Sequence, residues 1–183
     1  GHYSMAERVL VTGATGFIGQ HLPALLQARG FETHIAARGT LPESAGITAH
    51  GVDLLRQDEA QRLIKDIRPD IIIHTAWYVA HGRFWTAPEN TDWLEASTAL
   101  AAYAAEAGTR RFIGLGTCAE YATDTGDDAY PWPETRPIAP ATPYGEAKAA
   151  LARRLKEMAE GRARFSFAWA RLFHLFGPGE NPA

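Results

Sequence analysis

The chain has 183 residues, of which 46% are hydrophobic and 21% are charged, the composition of an ordinary water-soluble globular domain. The net charge of −3 predicts neither a basic stripe for nucleic acid nor a polybasic patch for membranes, and no apolar run has membrane-spanning length. The single cysteine, Cys118, excludes an intramolecular disulfide and fits a reducing cytoplasm, where we expect the protein to reside. Residues 1–5 are expected to be a tag remnant, and the N-terminus shows no signal-peptide core.

A glycine-rich turn follows the first predicted strand, the apolar run Val9–Val11. The turn is expected to lead into a helix with Ile18, Leu22, Leu25 and Leu26 on one face. Glycines permit a diphosphate to approach the main chain, and a helix N-terminus attracts it. The alternative is a merely tight strand–helix turn. The residues predicted to hold a dinucleotide here are Gly13, Thr15, Gly16, Phe17, Ile18 and Gly19.

The second predicted strand, Thr33–Ala37, ends where a cofactor ribose is expected to bind. In dinucleotide-binding folds an acidic residue about 20 positions after the glycines holds the ribose hydroxyls. Here Ala37 occupies that place with Arg38 beside it, and a guanidinium suits a 2′-phosphate. Arg38 therefore favours NADP over NAD, with a solvated loop arginine as the alternative.

The rest of the chain continues to alternate between strand and helix patterns. The predicted elements are a strand at Thr48–Val52, a helix at Asp58–Ile67, a strand at Ile71–Thr75, a helix from an Asn90 or Thr91 cap to Ala107, a strand at Arg111–Leu115, a helix at Tyr144–Glu160 and a strand at Phe165–Leu172. This alternation predicts an α/β fold with a doubly wound parallel sheet and helices on both faces. Ligands are expected at the carboxyl ends of the strands, where the long loop 116–141 also lies.

A tyrosine and a lysine stand one helical turn apart in the predicted helix at Tyr144–Glu160. Tyr144 and Lys148 share a helix face, and a phenol with a pKa of about 10 needs a nearby cation to exchange protons at neutral pH. The Lys148 ammonium, together with a cationic nicotinamide ring, would lower that pKa. Thr117, just past its strand, could bond a substrate oxygen or the Tyr144 hydroxyl, or else satisfy local backbone groups.

Four segments in this order resemble the extended short-chain dehydrogenase/reductases. They are Thr12–Gly19, Gly116–Tyr121, Pro143–Lys148 and Arg171–Pro178. Within this family the chain is most similar to the nucleotide-sugar epimerase, dehydratase and ketoreductase group. The resemblance implies a Rossmann-type sheet that binds NAD(P) and a nucleotide-sugar substrate. It also implies a smaller substrate domain after the last segment, so residues 6–183 are expected to be the cofactor domain without it.

The resemblance also implies roles for individual residues. Tyr144 would be the general acid and base, Lys148 would lower its pKa and hold the nicotinamide ribose, and Thr117 would orient the substrate. A homodimer is expected, built from the helices Asn90–Ala107 and Tyr144–Glu160. The further cofactor contacts implied are Asp53 and Leu54 at the adenine, Thr75, Ala76 and Trp77 after the fourth strand, and His174 near the nicotinamide.

Some positions depart from the family pattern. The 4,6-dehydratases carry an acidic pair where this chain has Cys118 and Ala119, which argues against dehydration. Cys118 is interpreted as a packing residue, because a catalytic cysteine of the family would come one residue later. Trp77 replaces a usual small residue and is expected to narrow the substrate entrance, and His174 replaces a usual asparagine.

Four other residues have both a structural and a functional interpretation. Glu120 is expected to bond loop amides, with substrate contact as the alternative, and His74 is expected to be a satisfied core histidine. Trp85 and Trp93 are interpreted as core or lid packing, with sugar stacking as the alternative.

Three functions remain open at this point. The leading hypothesis is an NADP-dependent reductase of a 4-keto group on a nucleotide-linked deoxysugar. The second is an NAD-dependent C4 epimerase that uses the same three residues, and the third is a non-catalytic dinucleotide-binding module.

Overall fold

The computed structural model describes residues 5–41, 44–123, 132–173 and 178. In this part of the chain strands and helices alternate as predicted. The strands are β1 (Arg8–Thr12), β2 (Glu32–Ala37), β3 (Ile47–Gly51), β4 (Ile71–His74), β5 (Arg111–Thr117) and β6 (Ser166–Leu172). The α-helices are α1 (Leu22–Ala28), α2 (Gln57–Ile67), α3 (Glu89–Glu106) and α4 (Pro143–Glu160). Single 3₁₀ turns lie at Gly19–His21 and Cys118–Glu120.

The strands form one parallel sheet in the order β3-β2-β1-β4-β5-β6. Val9 of β1 pairs with Thr33 of β2 on one side and with Ile71 of β4 on the other. Strands β2 and β3 therefore lie on one side of β1, and strands β4, β5 and β6 lie on the other. The chain thus changes direction between β1 and β4, and ligands of doubly wound sheets bind beyond the carboxyl ends of the strands at such a switch point. The doubly wound α/β fold predicted from the sequence is confirmed.

Helices cover both faces of the sheet. On one face α2, α3 and α4 pack over Leu10, Ile72 and Phe112, which are fully buried. On the other face Leu22 and Leu26 of α1 pack against a second cluster centred on β1 and β2. None of the helices in the described part of the chain has the combination of length and apolar character that crossing a bilayer requires.

The apolar face of α1 is narrower than predicted. Leu25 is 59% exposed, so the prediction that it shares the buried face is wrong. The chain first forms a 3₁₀ turn at Gly19–His21, and the short α1 begins only at Leu22. The sheet consequently meets a narrow arc that holds Leu22 and Leu26, one helical turn apart, and Leu25 lies on the flank that faces solvent.

β5 extends two residues beyond its predicted end at Leu115. Gly116 and Thr117 continue the ladder by pairing with β6 at Arg171 and Leu172. The 3₁₀ turn of Cys118–Glu120 follows at once, so the start of the predicted loop is ordered structure. Thr117 is thereby fixed at the carboxyl edge of the sheet.

The glycines of β5 make room for Trp169 of β6. Gly114 and Gly116 lie on the same face of the strand, because alternate residues of a strand share a face. A Cβ at Gly114 would stand 2.5 Å from the Trp169 ring, and one at Gly116 would overlap both the Trp169 indole nitrogen and the Glu120 carboxylate. The indole can therefore lie flat against β5 only while these positions lack side chains.

We predict that Gly116→Ala lowers the free energy of unfolding by about 1–3 kcal/mol, because Trp169 and Glu120 must move aside. The matched control is Gly161→Ala at the end of α4, where a Cβ would meet only ordinary contacts at 3.6 Å or more. The control should leave stability unchanged or slightly raised. Urea denaturation measures both; equal stabilities for the two variants would contradict the packing described here.

Candidate active site

The predicted site residues that the structure describes meet at the carboxyl edge of the sheet. The glycine turn follows β1, the segment from Thr75 follows β4, and Thr117 ends β5. Tyr144 and Lys148 lie in the first turns of α4, where Thr142 caps the helix by accepting a hydrogen bond from Gly145 N–H at 3.1 Å. Pro143 occupies the first turn of α4.

The glycine turn is packed against the segment after β4. Gly13 has a φ of +67°, and a Cβ there would stand 2.7 Å from the amide nitrogen of Ala76. The Thr75 hydroxyl donates to the Thr12 carbonyl at 2.6 Å, which locks the two segments together. Gly19 is buried against the Gly13 carbonyl. A side chain at Gly13 or Gly19 is therefore excluded by sterics.

The outer side of the turn is open. Thr15 and Gly16 are exposed, and Phe17 and Ile18 are half-buried. The prediction that a helix starts directly at this turn is wrong in detail, because the 3₁₀ turn at Gly19–His21 comes first. The groups available to a diphosphate at this point are consequently those of the turn itself.

Tyr144 is held in an aromatic corner. Its ring makes T-shaped contacts with Phe84 and Trp85, with centroids 4.8 and 5.6 Å away, and its amide donates to the Trp85 carbonyl at 3.1 Å. Burial, followed by the charge of Glu120, raises the pKa of Tyr144 to about 12, and hydrogen bonding by Thr117 opposes this rise. Tyr144 is therefore a protonated phenol at neutral pH.

Lys148 is almost completely buried, with 5% of its surface exposed. Its Nζ donates to the Leu115 carbonyl at 2.9 Å and lies 4.0 Å from the centre of the Trp77 ring, a cation–π contact. Burial lowers the pKa of Lys148 to about 7, and the charge of Glu120 acts in the opposite direction.

The expected electrostatic effect of Lys148 on Tyr144 is not found among the protein's own groups. The Lys148 Nζ lies 5.9 Å from the Tyr144 ring centre, yet burial and the charge of Glu120 dominate and raise the phenol's pKa. The predicted lowering concerns Lys148 acting together with a cationic nicotinamide ring, and for the protein with its cofactor it stays a prediction. The spacing of the two residues gave their shared face correctly but carried no information about burial.

Trp77 and Asn90 are joined by a hydrogen bond, and the role of Asn90 differs from the predicted one. The Trp77 indole donates to the Asn90 side chain at 2.8 Å, and Asn90 donates to the carbonyls of Phe84 and Ala87. α3 begins at Glu89, so Asn90 does not cap it and instead ties down the segment before it. Trp77 is buried and its ring supports the Lys148 ammonium, while its narrowing of the substrate entrance stays a prediction.

Thr117 and Glu120 form a local hydrogen-bonded unit. The Thr117 hydroxyl accepts from Ala119 N–H at 3.2 Å, and its amide donates to Glu120 Oε2 at 2.7 Å. Glu120 is fully buried and is also bonded by Trp169 and Arg171. The interpretation that Glu120 bonds loop amides is confirmed.

Trp169 and the glycines beneath it were not singled out from the sequence. The usable signal was two glycines at alternate positions of a strongly apolar strand, which indicates a large side chain on the neighbouring strand.

His74 is a satisfied core histidine, as expected. Thr12 Oγ1 lies 2.7 Å from its Nδ1 and Ser97 Oγ 2.8 Å from its Nε2. Burial lowers the pKa of His74 to about 3, so the ring is neutral. Trp93 is buried in the core, whereas Trp85 remains 41% exposed beside Tyr144.

The predicted adenosine end of the site lies at β2 and β3. Arg38 directly follows β2 and is exposed, and Asp53 accepts the Leu55 amide at 3.0 Å. The Leu54 side chain packs in the core with 5% exposure. Cys118 is half-buried beside the site, and His174 lies outside the described residues.

The chain is similar in sequence to known sugar-nucleotide enzymes. The profile of the NAD dependent epimerase/dehydratase family matches residues 9–183. A dTDP-6-deoxy-L-talose 4-dehydrogenase (NAD(P)(+)) of Kitasatospora kifunensis is 31% identical, over 97% of this chain and 55% of the relative. A UDP-glucose 4-epimerase of Neisseria meningitidis serogroup A is 28% identical, over 96% of this chain and 55% of the relative. The chain spans about half the length of the curated relatives it matches.

The fold is also found among solved structures. The UDP-Glc/GlcNAc 4-epimerase of Campylobacter jejuni superposes with a TM-score of 0.81 at 20% identity. The match covers 91% of this chain and 53% of the epimerase. At 20% sequence identity this similarity shows a shared fold and no more.

We predict that Lys148→Met stabilises the protein at neutral pH by about 2 kcal/mol, because it removes a buried ammonium. The folded-state pKa of Lys148, about 7, is below its ordinary 10.5, so unfolding takes up a proton between these values. The wild type should therefore gain stability relative to the variant as the pH rises from about 7 to 10.5. Urea denaturation at several pH values tests this, with the exposed Lys156→Met on the same helix as the control. A loss of stability in Lys148→Met at neutral pH would contradict the assignment.

Proposed function

The chain belongs to the NAD-dependent epimerase/dehydratase family, and we propose that it is an NAD(P)-dependent oxidoreductase that reduces a 4-keto group on a nucleotide-linked deoxysugar. The observation that carries the proposal is the placement of Thr117, Tyr144 and Lys148 together at the carboxyl edge beside the glycine turn. Ligands of doubly wound sheets bind at this edge.

Reduction of a ketone requires a proton donor, and the Tyr144 phenol carries its proton at neutral pH. Because a pKa raised to about 12 makes the phenol a weak acid, the transfer depends on stabilisation of the phenolate by the Lys148 ammonium. The relative named as a dTDP-6-deoxy-L-talose 4-dehydrogenase supports a deoxysugar and position 4.

The residues present fit a dinucleotide. The Gly13–Ile18 turn is open on its outer side, and its close packing against Thr75 and Ala76 depends on the glycine at position 13. The residues that would hold the cofactor are the turn, Arg38, Asp53, Leu54, Thr75, Ala76, Trp77, Lys148 and His174. When bound, the reduced cofactor supplies the hydride that converts the carbonyl carbon to an alcohol.

The chain's own residues handle the proton. Tyr144 donates its phenolic proton to the sugar oxygen, and the Thr117 hydroxyl orients that oxygen. The Lys148 ammonium stabilises the phenolate that the transfer leaves behind. Phe84 and Trp85 pack against the Tyr144 ring and keep it in one orientation.

A C4 epimerase is the second candidate, favoured by the relative named as a UDP-glucose 4-epimerase. Such an enzyme would use the same three residues with a tightly held NAD. A non-catalytic dinucleotide-binding module is the third candidate.

We also propose a homodimer through the layer of α3 and α4. The resemblance to the extended short-chain dehydrogenase/reductases implies this arrangement.

We predict that the complete protein oxidises one NADPH for each 4-keto deoxysugar nucleotide reduced. Tyr144→Phe should lower kcat about 10²–10⁴-fold, because it removes the proton donor, while the Kd for NADPH stays close to the wild-type value. Absorbance of NADPH with product quantification measures the stoichiometry, and Tyr103→Phe on α3 is the matched control.

The other outcomes separate the alternatives. Interconversion of C4 epimers without net consumption of NADPH would identify an epimerase. Cofactor binding with no effect of Tyr144→Phe on function would identify a binding module.

We also predict that the protein prefers NADP and that Arg38→Ala lowers the ratio of NADP to NAD affinity about tenfold or more. The reason is the loss of a charge-assisted contact to the 2′-phosphate. Isothermal titration with both cofactors measures the ratio. Arg29→Ala, just after α1 and distant from the carboxyl edge, is the control. An unchanged ratio in Arg38→Ala would show that Arg38 does not select the cofactor.

A further inference from the structure

We propose that Glu120 is a positioning residue for the reaction: its buried carboxylate fixes the Thr117 end of β5 and presents a negative charge to Lys148 and Tyr144. This inference rests on the proposed function for the reaction it serves. Glu120 is fully buried, and it lies on the 3₁₀ turn directly after β5. It does not need to touch the substrate to act.

Glu120 determines where the Thr117 hydroxyl lies. Its Oε2 accepts the Thr117 amide at 2.7 Å, while the Thr117 hydroxyl accepts the Ala119 amide at 3.2 Å. These reciprocal bonds form a capping box, which fixes both the backbone and the side chain of Thr117. A displacement of this turn would therefore move the group proposed to orient the substrate.

The carboxylate is itself held from the other side by β6. Arg171 Nε donates to Oε1 at 3.1 Å, and the Trp169 indole lies 3.1 and 3.2 Å from the two oxygens. Gly116 leaves the space that the carboxylate and the indole occupy. Glu120 is thus held by β6 on one side and bonds the Thr117 end of β5 on the other.

Stability alone does not account for a charge in this place. A buried ion pair contributes little net stability compared with apolar packing, and a capping bond does not require a full negative charge. The sign of the charge fixes the direction of its effect: a negative charge favours the Lys148 ammonium and disfavours the Tyr144 phenolate. Glu120 therefore helps to keep a proton on both residues.

The other ionisable groups around this centre come from several elements. Arg171 of β6 pairs directly with Glu120, and Cys118 lies on the same turn. Tyr121 follows that turn and lies under the Arg171 guanidinium. His74 of β4 faces Lys148 and is neutral.

The test is the near-isosteric substitution Glu120→Gln in the complete protein. Removal of the charge should shift the pKa values of Lys148 and Tyr144 downward by about one unit, and the limbs of the pH profile of kcat should move with them. We expect kcat to fall about tenfold while KM for NADPH changes less than about twofold. Glu146→Gln, an exposed change in the first turn of α4, is the control.

Glu120→Asp separates the two parts of the role. It keeps the charge but is too short to preserve the bond to the Thr117 amide. The pH profile should return toward that of the wild type, whereas kcat should remain low. A purely structural residue would lower stability and kcat without moving the pH limbs.

A measurement of the Lys148 pKa in the absence of substrate tests the electrostatic role of Glu120 independently of the reaction. NMR titration of ¹³Cε-labelled lysine, with the Lys148 signal assigned by its loss in Lys148→Arg, gives the pKa directly. We expect a downward shift in Glu120→Gln and an upward shift in Arg171→Met, which leaves the Glu120 charge uncompensated. Arg171→Met also serves if Glu120→Gln does not fold.

An unchanged Lys148 pKa in these variants would overturn the proposal. If the wild type fails to turn over sugar nucleotides but the Lys148 pKa shifts as expected, the proposed reaction fails while the electrostatic role of Glu120 stands.

Discussion

A lysine ammonium carried into the interior is the constraint on which the site depends. Lys148 keeps only 5% of its surface in contact with solvent, and burial opposes its charge. Three groups stabilise the buried ammonium: the Leu115 carbonyl of β5, the face of the Trp77 ring after β4, and the charge of Glu120. Because each partner lies on a different element, β4, β5 and α4 must converge for the lysine to be accommodated.

Further layers support those partners. Trp77 is oriented by Asn90, which also ties down the segment that carries Phe84 and so the aromatic corner around Tyr144. Glu120 is supported by Trp169 and Arg171 of β6. The groups proposed to react therefore lie on or next to regular elements that neighbouring strands and segments support, which keeps their geometry fixed.

The overall fold could be predicted because its signals are local. Glycine and proline breaks separate the elements, and the continuous apolar run at β4 marks a strand inside a parallel sheet. The shared face of Tyr144 and Lys148 follows from helical spacing alone. The exposure of Leu25 was missed because the pattern of apolar residues does not tell how wide an arc the sheet covers.

The electrostatics of the site could not be predicted in the same way. The pKa of Tyr144 depends on burial by Phe84 and Trp85, which come from a segment some 60 residues earlier in the sequence. The role of Asn90 was missed because its side chain accepts a hydrogen bond from the Trp77 indole, which belongs to the segment before α3. Both features depend on contacts between different elements, about 60 residues apart for Tyr144 and 13 residues apart for Asn90, and the spacing of residues within one element does not reveal such contacts.

The central claim is that the glycine turn and the Tyr144–Lys148 pair serve one ligand in one crevice. A crystal structure of the complete protein with bound NADP tests this most directly. The account predicts the diphosphate against Gly13–Ile18 and the nicotinamide ring beside the Tyr144 phenol. A dinucleotide bound elsewhere, or a phenol turned away from the nicotinamide ring, would contradict it.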